Sequence, residues 1–267
     1  FTVDNAKNAY DILINNGAES IREPWSLEVS DGEFNFAEVK AYGDVVHRIV
    51  SRNATPGFAP GFEKAPMYND GKFGIAVNDH ITNNVAKGDM QKMVDFYVNI
   101  WGFEEIRFFH ITTGKTGLLS KVVRSPNGSV TMPFNEPTED ASQIQEFLNS
   151  YNGPGVQHVA LLTKSIMPTF DAWNKSEFKF LTVPDTYYEE VPKRVPNISE
   201  DISELKSRGL LADGDEKGYL LQIFTQNLIG PFFFELIQRK NHDGFGEGNF
   251  KALFEAIERD QQSRGVL

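Results

Sequence analysis

Three short stretches of the chain, 77–82 (VNDHIT), 155–160 (GVQHVA) and 232–237 (FFFELI), read as strands. An amphipathic segment soon follows the first two. Met90, Met93, Val94, Tyr97, Val98 and Trp101 recur at helical spacing after the first, and Ile166, Phe170 and Trp173 after the second. A strand-then-helix module therefore occurs twice, over 74–137 and 155–240, each continuing into further strands. Module two closes on strands at 219–225 and 231–238, after an acidic excursion between Pro184 and Gly218 with a helix around 200–208. Upstream, 4–17 reads as a helix through Ala6, Ala9, Tyr10, Ile12 and Leu13, preceded by a strand remnant at 1–3, so the chain is expected to start within a fold. Prolines and glycines punctuate 55–66, and a domain boundary belongs there. A last helix follows Gly248, with Phe250, Leu253, Phe254 and Ile257 at i, i+3, i+4 and i+7 and Asn249 as its N-cap.

Each of the three strands carries one metal-ligating side chain: His80, His158 and Glu235. Two imidazoles and one carboxylate on one face of a metal leave the opposite face open, as non-haem Fe(II) oxygenases require. If the modules are repeats, the two histidines face each other across a pseudo-twofold axis. The competing interpretation is ordinary: a lone strand histidine is more often a hydrogen-bonded core residue, and Glu235 could pair with Arg239 or Lys240. Spacing alone leaves His110 as a rival ligand, while His47 and His242 lie in polar sequence and are expected to be exposed.

With 267 residues, 40% hydrophobic and 12% aromatic, the chain can build a sizeable core in one large or two ordinary domains. Its 26 Lys and Arg against 37 Asp and Glu give a net charge of -11, which disfavours nucleic acid and anionic membranes as partners. The absence of cysteine excludes disulfides, zinc-thiolate sites and iron–sulfur clusters, so a metal must be held by nitrogen and oxygen. No run of about 18 apolar residues occurs, and the cytoplasm is the expected location.

The segments 153–161 (GPGVQHVAL), 218–225 (GYLLQIFT), 234–239 (FELIQR) and 244–254 (GFGEGNFKALF) resemble the 4-hydroxyphenylpyruvate dioxygenase family, and the similarity extends over the whole chain, more weakly in the first 70 residues. The resemblance implies an α+β fold of the vicinal-oxygen-chelate superfamily, like glyoxalases and extradiol dioxygenases, in which paired βαβββ modules form open barrels. Residues 1–66 would then be the remnant of a non-catalytic N-terminal domain, lacking its first module, plus the linker. Residues 67–267 would be the catalytic domain, with 249–263 as a C-terminal lid helix. The implied iron ligands are His80, His158 and Glu235, and His110 drops out. The implied catalytic contacts are Ser120, Asn135, Gln143 and Gln222, and the implied substrate contacts Gln157, Phe224, Phe233, Phe245 and Phe250.

Strand parity agrees for some of these. Gln222 shares a face with Phe224, and Phe233 with Glu235, whereas Gln157 neighbours His158 and should point the other way. Phe250 could equally be a core residue of the last helix. The resemblance further implies Fe(II), a 2-oxo acid substrate and dioxygen, with 4-hydroxyphenylpyruvate converted to homogentisate and CO2 in tyrosine and phenylalanine catabolism. A homo-oligomer is expected. Hydroxymandelate synthesis, an extradiol or glyoxalase-like activity, and a metal-free binding module of the same fold remain as alternatives.

Overall fold

The computed structural model describes residues 1–29, 32–53, 73–113, 116–249 and 251–252. The segment 55–66, Phe250 and most of the last helix lie outside the described residues.

The first unit is built on α1 (Ala6–Asn15), β1 (Ser20–Val29), β2 (Gly32–Lys40) and β3 (Val46–Arg52). The helix starts where the Asn5 side chain accepts a hydrogen bond from the Asn8 amide. Ala6, Tyr10 and Leu13 pack on Ala37, Val39 and Ile49 of the antiparallel sheet β1-β2-β3. Ile12, assigned to the buried stripe by spacing, is 59% exposed, because the helix covers the sheet with a narrower face. Thr2 bridges Val50 in parallel, so 1–3 run beside β3 as the first strand of a βαβββ module would.

Two complete modules follow. The first is β4 (Ile75–Asn84), α2 (Met90–Trp101), β5 (Glu104–Thr113), β6 (Thr116–Arg124) and β7 (Thr131–Pro137). After α3 (Gln143–Tyr151) the second begins with β8 (Gly155–Thr163) and α4 (Ile166–Asn174). It passes through α5 (Asp185–Tyr188), α6 (Val191–Arg194) and α7 (Ile202–Arg208), and ends in β9 (Leu211–Gly214), β10 (Tyr219–Phe224) and β11 (Phe233–Lys240). All eight strands form one sheet in the order β5-β6-β7-β4-β8-β11-β10-β9. That order is the same in both halves when counted outward from the centre: first strand, fourth, third, second. β4 and β8 run antiparallel there, with His80 opposite Ala160 and Thr82 opposite His158. A twofold axis through that register exchanges the two histidines, as a duplicated module requires.

One face of the sheet is covered by helices. Met90, Val94 and Tyr97 of α2 pack on Val123, Met132 and Phe134, and Ile166, Phe170 and Trp173 of α4 join a core with Leu221, Ile223 and Leu236. The opposite, inward face carries the alternate residues of the same strands. On β11 these are Phe233, Glu235, Ile237 and Arg239, and on β10 Leu220, Gln222 and Phe224. The N-terminal unit is joined to the first module by buried polar contacts: His47 Nε2 lies 2.5 Å from the Tyr97 hydroxyl, and Tyr42 donates to Asn83 Oδ1. His47 is thus not exposed as its polar neighbours suggested. It alternates with the exposed Val46 and Arg48 and shares the buried face of β3 with Ile49 and Ser51.

Candidate metal centre

Both histidines sit where the pleat is interrupted. Between Asn78 and His80 the register gains one residue on β4, and between Thr82 and Asn83 it gains one on β8. The extra residues are Asp79 and Gln157, each immediately preceding its histidine, and they are equivalent under the module symmetry. A β-bulge breaks strict alternation and re-aims a side chain. It therefore lets a residue next in sequence reach the same imidazole. Asp79 Oδ1 stands 2.8 Å from His80 Nδ1, and Gln157 Oε1 stands 3.1 Å from His158 Nδ1. This corrects the parity expectation for Gln157, which curls back onto His158 rather than pointing away. With Nδ1 held by an acceptor in each ring, the Nε2 lone pairs are free to face inward.

They face Glu235. Its Oε2 is 3.5 Å from His80 Nε2 and 3.3 Å from His158 Nε2, and the three ligand atoms lie within 4.8 Å of one another. Donors about 2.1 Å from one ion and at right angles to one another stand about 3 Å apart, so each imidazole stands close to the separation of a cis ligand from Glu235. All three residues are buried. Glu235 Oε1 and Gln222 Oε1 are buried without a hydrogen-bond partner among the described residues. Two imidazoles, one carboxylate and no thiolate suit a divalent ion of intermediate hardness with positions left for other ligands.

The fourth position of the symmetric arrangement is closed to coordination. Glu235 lies beside Ala160 on β8. Its counterpart on β7, one residue back from the Asn83–Phe134 pair, is Pro133. Proline offers no ligand atom.

Electrostatics separate the two rings. Burial opposes the imidazolium at both sites, but at His80 the hydrogen bonds it donates to Asp79 and Glu235 outweigh it and the value rises. At His158 burial prevails and the value falls. Burial alone would raise Glu235, and the two imidazoles bring it below its usual value instead. Asp79 is in turn gripped by Arg239, whose Nε and Nη2 lie 2.8 and 2.7 Å from its two oxygens. Arg239, raised at the sequence level as a partner for Glu235, pairs with Asp79, and Lys240 pairs with Glu200.

Aromatic rings surround the triad. Phe233 stacks on His158 at 4.9 Å, Phe224 lies 6.2 Å from the same ring, and Phe245 meets His80 edge-on at 5.2 Å. Phe109 on β5 reaches Phe245 from the other half of the sheet. Gln222 and Phe224 point inward beside Ile237 and Glu235, their register partners. Gly246, with φ +75°, crosses close above Gln222, and a Cβ there would lie 2.0 Å from Gln222 Oε1.

Ser120 and Asn135 are buried register partners in the other half, and Asn135 donates to Asn84. Asn84 stands four residues along β4 from His80, roughly 13 Å of strand. Gln143 is not brought into this group. It is exposed on the first turn of α3, whose inward stripe is Ile144, Phe147 and Leu148. His110 is also exposed, on β5, away from the triad.

The base of the last helix is tied to module two. Residues 247–249 are already helical, so Asn249 is not the N-cap. Its buried Oδ1 accepts instead from the Tyr187 hydroxyl at 2.6 Å and from Arg194 at 3.2 Å, while Gly248 donates to Asp213. A cavity of about 790 Å³ opens beside this anchor, between the two edge strands β5 and β9. Sequence reasoning missed Asp79, Arg239, Phe109 and Tyr187. Only Asp79 and Arg239 left a signal, as an acid adjoining one ligand and a base sharing a strand face with another.

Comparison with known proteins agrees with this geometry. A family model described as the Glyoxalase/Bleomycin resistance protein/Dioxygenase superfamily matches residues 78–191. A 4-hydroxyphenylpyruvate dioxygenase from Legionella pneumophila (strain Corby) is 51% identical over 197 residues, 73% of this chain. The chain spans 57% of that relative's length. Among solved structures, a mutant of 4-hydroxymandelate synthase from Streptomyces coelicolor matches with a TM-score of 0.78 and 29% identity, covering 98% of this chain and 76% of that one. A 4-hydroxyphenylpyruvate dioxygenase from Pseudomonas sp. (strain P.J. 874) is 41% identical over 100% of this chain and 76% of its own length, and on that similarity the chain belongs to the 4-hydroxyphenylpyruvate dioxygenase family.

Proposed function

We propose that the chain is an Fe(II)-dependent dioxygenase that converts 4-hydroxyphenylpyruvate and dioxygen to homogentisate and CO2 in the catabolism of tyrosine and phenylalanine. The observation that carries the proposal is the buried His80, His158 and Glu235 group, with Pro133 where a fourth ligand would stand. Bound there, Fe(II) would supply a Lewis acid that accepts a 2-oxo acid and dioxygen side by side. The protein's own contribution is orientation and exclusion of water. Phe224, Phe233 and Phe245 offer apolar walls to a planar ring. Gln222, with an unpartnered buried oxygen facing inward, is available to a polar group of the substrate. Ser120 and Asn135 line the far end of the same face and offer hydrogen-bonding groups that suit a phenol and favour a hydroxylated ring. Gln143 would join them only if α3 or the substrate shifts toward it, and Phe250 would cap the ring. On this proposal 67–267 is the catalytic part and 1–66 is not, and the enzyme works in the cytoplasm.

The test supplies Fe(II), 4-hydroxyphenylpyruvate and oxygen and identifies the aromatic product. Homogentisate as the main product is expected. Replacing His80, His158 or Glu235 by Ala should abolish turnover and metal binding, and His110→Ala should leave both. The structural likeness to a 4-hydroxymandelate synthase favours a second outcome, oxidation at the benzylic carbon. 4-Hydroxymandelate as the dominant product would establish it. Iron bound with substrate untouched would refute both.

A further inference from the structure

We propose that Arg239 is a positioning residue that couples the metal ligand His80 to the loop at 242–246, so that metal binding and ordering of that loop strengthen each other. The inference rests on the metal-centre proposal above. One guanidinium makes every hydrogen-bonded connection. Its Nε and Nη2 grip the Asp79 carboxylate, which holds His80 Nδ1. Its Nη1 donates to the backbone carbonyls of His242, at 3.0 Å, and Gly244, at 2.6 Å. Its Cζ also lies 5.6 Å from the centre of the Phe245 ring, and that ring meets His80 edge-on. Loop and ligand are thus joined twice, once through hydrogen bonds and once through Phe245.

The symmetry of the fold supplies an internal control. His158 is held in the equivalent way by Gln157, a neutral amide with no arginine behind it among the described residues. Counting four residues from Pro133, as from Glu235 to Arg239, puts Pro137 at the counterpart of Arg239. The module therefore orients a ligand histidine without a charged pair. Among the described residues the pair, which joins β4 to β11, stands only beside His80, the ligand that Phe245 of the loop touches. A buried ion pair is a poor source of net stability, since the cost of dehydrating both partners offsets their attraction. A fixed fork that matches a carboxylate on one side and two carbonyls on the other is a good source of mutual orientation. A ligand whose binding fixes His80 must then favour the seated loop, and the seated loop must favour the ligand by the same factor.

The test measures Co(II) affinity and hydrogen exchange across 242–249, with and without Co(II), in the parent chain, Arg239→Met, Arg239→Lys and Gln157→Ala. In the parent, Co(II) should slow exchange in the loop about tenfold. Arg239→Met should weaken Co(II) by about 10-fold, the lower end for loss of an outer partner of a ligand. In that variant loop exchange should no longer respond to the metal. Arg239→Lys should restore part of the affinity and little of the coupling, because an ammonium cannot bridge both sides. Gln157→Ala should weaken Co(II) yet leave the loop response intact. If Arg239→Met fails to fold, Asp79→Ala severs the same link and takes its place. A loop that responds to Co(II) equally in parent and Arg239→Met would overturn the proposal. Failure of the parent to bind Co(II) would instead overturn the metal centre beneath it.

Discussion

Gly246 is the residue on which the approach of the loop to the site depends. Its φ of +75° is costly for any side chain, and an added Cβ would fall on the Gln222 amide. Gly246→Ala is expected to cost about 1–3 kcal/mol of stability, read from urea unfolding. It should also push Gln222 aside, so that kcat/KM falls further than the stability loss explains. A variant with parental kcat/KM would show that Gln222 can move without consequence. At this scale the three candidate ligands that the fold brings together were visible on their strands, with His110 set aside only by the family resemblance. The partners of the ligands were not. Alternation predicts that Asp79 and Gln157 face away from the histidines beside them, and a one-residue bulge, invisible in composition, reverses that.

Among elements, the start of the C-terminal helix is held by a buried polar knot. The Tyr187 hydroxyl donates toward Ala212 O and Asn249 Oδ1 and accepts from the Ala212 amide and Arg194. Burial raises this phenol to about 12 despite the guanidinium beside it, so it stays protonated and able to donate at any working pH. Tyr187→Phe strands the buried Ala212 amide and leaves Asn249 Oδ1 with its longer bond from Arg194. We expect a loss of about 1–3 kcal/mol on unfolding and faster exchange at 247–252, with Co(II) binding unchanged. α1, α2 and α4 were legible from their apolar spacing, whereas the nine-residue α3 was not read. The four-residue α5 and α6, which bring Tyr187 and Arg194 to the knot, span barely one turn and cannot display a period.

Across the whole molecule, the N-terminal unit meets the first module at His47, which lies among Phe1, Phe96, Tyr97 and Trp101. Burial lowers its value from 6.5 to about 4. Between those limits the unfolded chain takes up a proton that the folded chain refuses. Stability is therefore full above pH 6.5 and falls as the pH drops toward 4, by at most about 3 kcal/mol from this group. Comparing the parent with His47→Gln at pH 7 and pH 4.5 should show the parent losing about 2–3 kcal/mol more than the variant. Equal losses would mean that the ring is charged in the fold. The burial of His47 depends on packing between units far apart in sequence, which explains why local polarity misread it, while the duplicated module was visible in the repeated strand-then-helix pattern.

That duplication also bears on how the centre could be undone. The twofold relation offers four inward positions around the axis, and Pro133 withholds the last of them. A carboxylate at 133 would complete a four-ligand cage of the kind that grips an ion for structure alone. The pocket would then hold its metal more firmly and do less with it. On the proposed function, reactivity here would be owed to a defect in the fold's own symmetry, one imino acid wide.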